Sequence, residues 1–105
     1  MRYIFILCLF ILTLYSNEKG ESLYSSCKFC HGYNGKRIYE NIVPSINNLD
    51  LSTLELKLKL YKQGLIDEYG FGPIMKQQMI NIPNKEIPVL SKYIKWLEKE
   101  NKWKK

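Results

Sequence analysis

Two thiols and the only histidine of the 105-residue chain fall within five consecutive residues, Cys27-Lys28-Phe29-Cys30-His31. A Cys-x-x-Cys-His run is the attachment signature of a c-type haem. Thiols three residues apart lie about one helical turn apart, so each can add to a vinyl group on the same porphyrin edge and form a thioether. The adjoining imidazole then reaches the iron from the same side as the proximal ligand. Other chemistries fit less well. A zinc site needs about four ligands, and no Cys or His follows His31. A thioredoxin-like dithiol belongs in a βαβ context, which the surrounding residues do not show. A Cys27–Cys30 disulfide would close a very short loop and constrain little.

With His31 used once, a second histidine ligand within the chain is excluded. The residues leave Met75, Met79, a lysine or an open iron for the sixth position. A thioether is a soft, neutral ligand that favours ferrous iron, and Met/His ligation raises the reduction potential.

The segment before the motif indicates where this chemistry takes place. Met1-Arg2 is a short basic start, followed by an apolar run from Tyr3 to Tyr15 and then polar Ser16-Asn17-Glu18-Lys19. That pattern describes a secretory signal peptide over residues 1–16. The run is short of the ~20 residues of a spanning helix, and an uncleaved anchor is the alternative, because Leu14 suits the cleavage site poorly. Cys8 lies within the apolar run and has no chemical role assigned to it. The remainder, residues 17–105, is one domain placed outside the cytoplasm, in the periplasm, where thioether attachment of haem takes place in bacteria. A domain of this size is marginal for an apolar core alone, and a covalently held haem would staple it. The net charge of +6 favours acidic partner surfaces and anionic membrane faces and acts mainly on association rate. It does not point to nucleic acid, because the lysines gather mainly on one amphipathic helix.

Helices must hold these residues in place. Glu18 to Cys30 reads as a helix, with Leu23, Tyr24 and Cys27 on one face. Gly32-Tyr33-Asn34-Gly35 breaks it. Residues 37–50 show no sustained period and read as a long loop of the kind that covers a cofactor. Residues 52–64 alternate like a strand, but Leu, Glu and Lys are helix formers. Ser52-Thr53-Leu54-Glu55 fits a capping box and Gly64 a stop. A helix is therefore expected, with Leu54, Leu58, Tyr61 and Leu65 on one stripe, and Leu56 and Leu60 left for a haem edge or a partner. After the Gly70-Phe71-Gly72-Pro73 loop, Asn84 can cap a last helix on which Ile87, Leu90, Ile94 and Leu97 recur, with Tyr93 and Trp96 alongside. Its end carries Lys92, Lys95, Lys99, Lys102, Lys104 and Lys105, read as a solvated face that suits the helix dipole.

The run from Gly20 to Gly32, with Leu23, Tyr24 and the motif, resembles the opening of small monohaem class I cytochromes c of bacteria. The resemblance extends over about residues 18–98 and takes in Pro44, Tyr61-x-x-Gly64, Met75 and the Ile87–Leu97 helix. It implies an all-α fold of three to four helices wrapped around one covalently bound haem. It also implies His31 and Met75 as axial ligands, Met75 lying seven residues before the apolar position Ile82 that precedes the last helix. The second methionine in Gln77-Gln78-Met79 departs from the pattern and keeps Met79 as the alternative. The Pro44 carbonyl is expected to accept the proximal imidazole N–H. By resemblance the protein is a monomeric electron carrier, not an enzyme, working between a quinol-oxidising complex and a terminal oxidase or peroxidase. The alternatives are a haem-based sensor with a labile methionine, or a thiol–disulfide oxidoreductase using Cys27 and Cys30.

Overall fold

A computed structural model of the chain describes residues 18–103, and side chains as far as Leu97. The expected signal segment and its cleavage site lie outside the described residues. Five helical segments appear: α1 over 18–24, α2 over Lys28–His31, α3 over Leu51–Gln63, α4 over Gly72–Met79 and α5 over Ile87–Trp103. Two short 3-10 turns, Ile46–Asn48 and Asn84–Glu86, complete the regular structure. The all-α expectation holds, with α3 packed on both α4 and α5. No helix among the described residues is long and apolar enough to cross a membrane.

The first helix stops earlier than expected. Residues 25–27 form a turn instead of joining Glu18 to Cys30. The Ser25 hydroxyl donates to the Ser22 carbonyl at 2.7 Å, and the Cys27 N–H donates back only three residues, to Tyr24, at 2.8 Å. A serine side chain that competes for the backbone disfavours a continuing α-helix. The break gives the haem motif its own short helix.

The start of α3 is also displaced. The expected Ser52 capping box does not form. Asp50 takes the N-cap position, its carbonyl accepts the Leu54 N–H at 2.9 Å, and Ser52 donates to its carboxylate at 2.7 Å. Gly64 ends the helix as expected, at φ 74°. Its own N–H donates to the Tyr61 carbonyl and the next N–H to the Leu60 carbonyl, both at 3.0 Å, a Schellman arrangement that satisfies two orphan carbonyls. Asn84 opens a 3-10 turn and does not cap α5 directly. The loop over 37–50 is pinched by a Tyr39–Val43 bridge and carries the first 3-10 turn.

The core gathers Tyr24 from α1, Leu54 and Leu58 from α3, Met79 from α4, and Ile87, Leu90, Tyr93, Ile94 and Leu97 from α5. The stripe expected on α5 is buried throughout, whereas Leu65, the last member of the α3 stripe, lies beyond the helix end and is exposed. Helix α1 approaches α5 where Gly20 faces Tyr93. A Cβ at Gly20 would lie 2.6 Å from the Tyr93 Cβ and 2.7 Å from its ring. One turn on, the Tyr24 and Tyr93 rings pack with centroids 5.9 Å apart.

Helix propensity alone favours alanine at Gly20 by roughly 0.5–1 kcal/mol. The contact predicts the opposite sign. Gly20→Ala should destabilise the protein by about 1–3 kcal/mol, the usual range for overpacking, as a lowered thermal midpoint. A raised midpoint would mean that the helices separate without cost.

Candidate haem site

The motif helix is fixed before any cofactor is considered. The Tyr24 hydroxyl donates to the Gly32 carbonyl at 2.6 Å, tying α1 to the residue that ends α2. Arg37 closes the other side, its backbone N–H donating to the His31 carbonyl at 3.1 Å and its guanidinium to the Phe29 carbonyl at 2.6 Å. Gly35, at φ 71°, turns the chain so that its carbonyl accepts the N–H groups of Ile46 and Asn47 at 3.0 and 3.3 Å. The side-chain amide of Asn47, almost wholly buried, returns to the Asn34 carbonyl at 2.7 Å. Every segment around the motif therefore ends on a named backbone partner.

A mostly apolar cleft opens beside α2, α3, α4 and α5 and encloses roughly 1080 Å³ of empty space, part of it continuous with solvent. Its mostly apolar lining suits an apolar cofactor. Cys27, Cys30, His31 and Met75 all line it, so four residues separated by up to 48 positions meet at one cavity. Met79 lines it too, but Met79 is 1 % exposed and belongs to the core, while Met75 is half-buried. Leu54, Leu58, Leu90 and Ile94 contribute apolar surface to the cleft.

Both motif cysteines are free thiols. Burial pushes the Cys27 thiol up to about 11, so it is neutral at ordinary pH. His31 is 7 % exposed, and burial lowers its pKa below the ordinary histidine value. The ring is thereby kept neutral, the form that binds a metal. Its Nδ1 is buried with no hydrogen-bond partner. An orphaned buried nitrogen costs about 1–3 kcal/mol and marks a site completed by something the chain does not supply. Two free thiols, a neutral imidazole and the mostly apolar cleft they line fit a covalently held haem.

The Pro44 carbonyl does not supply the expected partner for the ring. Pro44 lines the cleft, but the loop on either side of it is tied elsewhere, by the Tyr39–Val43 bridge and the bonds to Gly35. The buried His31 Nδ1 makes no hydrogen bond to that carbonyl. Leu56 and Leu60 are also absent from the cleft lining, and Leu56 is exposed. The helical turn carries them away from the side that presents Leu54, Lys57, Leu58 and Tyr61.

Several lining residues were not legible in the sequence. Tyr39 and Phe71 meet edge to face with centroids 5.2 Å apart, and Tyr69 joins them at the cleft. Tyr39 shares that lining with Cys30 and His31. The three aromatics lie in loops without hydrophobic period; the only available signal was the density of aromatics. Lys57 also lines the cleft and pairs with Glu68 at 3.0 and 3.1 Å, a contact that raises its pKa.

The protein-family description Cytochrome c matches residues 17–98. Comparisons with curated proteins and with solved structures gave no match. The match spans the motif, every residue lining the cleft and the helices that carry them as far as residue 98. The chain therefore belongs to the cytochrome c family, and its Cys27–His31 run carries one covalently bound haem c.

Proposed function

We propose that this protein is an exported electron carrier whose haem iron takes His31 and Met75 as axial ligands. The observation that carries the reading is the meeting of the chain's only histidine and a half-buried methionine at one apolar cleft, beside both motif thiols. A haem so ligated cycles between ferric and ferrous states without binding a substrate. What the chain contributes is an apolar wall that limits water, a neutral imidazole, and a neutral sulfur that favours the ferrous state. Cytochromes c are typically carriers, not enzymes. Family membership and the lack of any strand element among the described residues both argue against the thiol–disulfide reading.

Residues 1–16 act in this reading as the export signal, or as an uncleaved anchor, and the domain from residue 17 onward functions in the periplasm. Its partners are redox proteins, with a quinol-oxidising complex upstream and a terminal oxidase or peroxidase downstream. Of the candidate basic rim Lys28, Lys57, Lys59 and Lys76, only Lys57 lines the cleft, and Lys59 lies on the opposite side of α3. Lys28 lies over the Tyr33 ring, 5.7 Å from its centroid, and Lys59 and Lys76 are exposed. Lys57 contributes less, because Glu68 already neutralises it.

Intact-mass measurement of the exported protein should show the chain plus one haem, retained through acidified acetone. An unmodified mass with two free thiols would remove the proposal.

Met75→Ala should lower the reduction potential, abolish the weak sulfur-to-iron band near the red end of the ferric spectrum, and open the ferrous iron to carbon monoxide. Met79→Ala should leave all three unchanged and cost about 2–5 kcal/mol of stability, as expected for a buried methionine. The reverse pattern would move the ligand role to Met79. Rapid carbon monoxide binding by the unmutated protein would favour a sensor.

Lys28→Gln with Lys76→Gln should slow electron exchange with an acidic redox partner about two- to fivefold at low salt and change little at high salt. Stopped-flow rates that ignore ionic strength in both proteins would remove the electrostatic rim.

A further inference from the structure

Helix α4 brings Met75 to the cleft, yet at eight residues it is too short to hold its own shape in water. Polar contacts outside the cleft lining fix both of its ends. At the start, Asp67 Oδ1 accepts the Gly72 N–H at 2.8 Å. Gly72 is the first helical residue and Pro73 has no N–H, so two of the four positions that a helix start leaves without partners are dealt with at once. The approach requires glycine, since a Cβ at Gly72 would lie 2.8 Å from the Asp67 Cβ and Cγ. The next bond inward is that of Met75 itself, whose N–H donates to the Phe71 carbonyl at 3.0 Å. The methionine therefore sits in the turn that frays first if the cap is lost.

At the far end the chain turns directly, the Ile82 N–H donating to the Met79 carbonyl at 3.0 Å. Lys62 of α3 holds this turn. Its Nζ donates to the Ile82 carbonyl at 2.5 Å and to the Asn84 side-chain oxygen at 3.0 Å. Neither Asp67 nor Lys62 lines the cleft.

We infer that Asp67 and Lys62 are positioning residues for the sixth ligand, clamping the two ends of α4 so that the Met75 sulfur is held for the iron. This rests on Met75 being that ligand. Asp67 acts on the turn that carries Met75, and Lys62 fixes the inclination of the helix against α3.

The test uses the holoprotein with Asp67→Ala, Asp67→Asn, Lys62→Met and Met75→Ala. Loss of one clamp removes an interaction of cap or hydrogen-bond size, so Asp67→Ala and Lys62→Met should each speed ferrous carbon monoxide binding about five- to tenfold. Each should also weaken the ferric sulfur-to-iron band and lower the potential. Asp67→Asn keeps an acceptor oxygen and should stay close to the unmutated protein. Thermal midpoints that fall in both clamp variants while band, potential and carbon monoxide rate stay unchanged would overturn the inference and leave the two residues a purely structural role. Retention of the band in Met75→Ala would instead overturn the ligand reading. Hydrogen exchange on the unmutated holoprotein tests the first clamp without a substitution: the Gly72 amide should exchange slowly despite opening a helix, and exchange as fast as an uncapped first residue would overturn it.

Discussion

The helices of this protein pack around a mostly apolar cleft that their own side chains leave open. Leu54, Leu58, Met79, Leu90 and Ile94 belong to the buried core and at the same time line that cleft. These five are almost wholly buried even so, and the surface left at the cleft belongs to the partly buried Cys27, Ile46, Leu49 and Met75. Apolar surface left against water forgoes about 25 cal/mol per Å², and small domains have little surplus stability to absorb such a loss. The haem is in this sense the missing part of the core. The arrangement of α3, α4 and α5 follows from having to enclose it.

A covalent tether is useful only if its protein end is held still. The motif helix is four residues long and has no stability of its own. Contacts from both sides replace it: Tyr24 on the Gly32 carbonyl and Arg37 on the carbonyls of Phe29 and His31. Tyr24 is in turn held by Tyr93, and α1 can approach α5 because Gly20 carries no Cβ. The aromatic contact between the first and last helices therefore reaches the haem motif through a single phenol.

The basic residues serve more purposes than solvation. Arg37, Lys62 and Lys95 each donate to a backbone carbonyl, of Phe29, Ile82 and Asn47 respectively. Each joins a loop to an element distant in sequence or closes a turn against its helix. A long cation reaching a carbonyl satisfies an acceptor that no regular structure covers, while its stem shields apolar surface. Three of the cations behind the +6 charge therefore also serve as donors within the fold, with their charge retained. Lys95, read from sequence as one of a solvated row, is among these fasteners.

Chemistry written in contiguous residues was legible in the sequence. Cys27, Cys30 and His31 declare a haem because the spacing of two thiols and an imidazole is itself the chemical requirement, independent of what surrounds them. The stripe Ile87, Leu90, Ile94 and Leu97 and the stop at Gly64 were legible for a similar reason: helical period and left-handed backbone are local properties. The break at Ser25, the cap at Asp50 and the 3-10 turn at Asn84 were not, since each depends on which of several nearby polar groups takes a given backbone bond. The cleft aromatics Tyr39, Tyr69 and Phe71, the unpartnered His31 Nδ1 and the fastening of α4 by Asp67 and Lys62 exist only once distant segments have packed. The residue types alone do not say which carbonyl a lysine will reach, because that is decided by where the helices leave an acceptor uncovered.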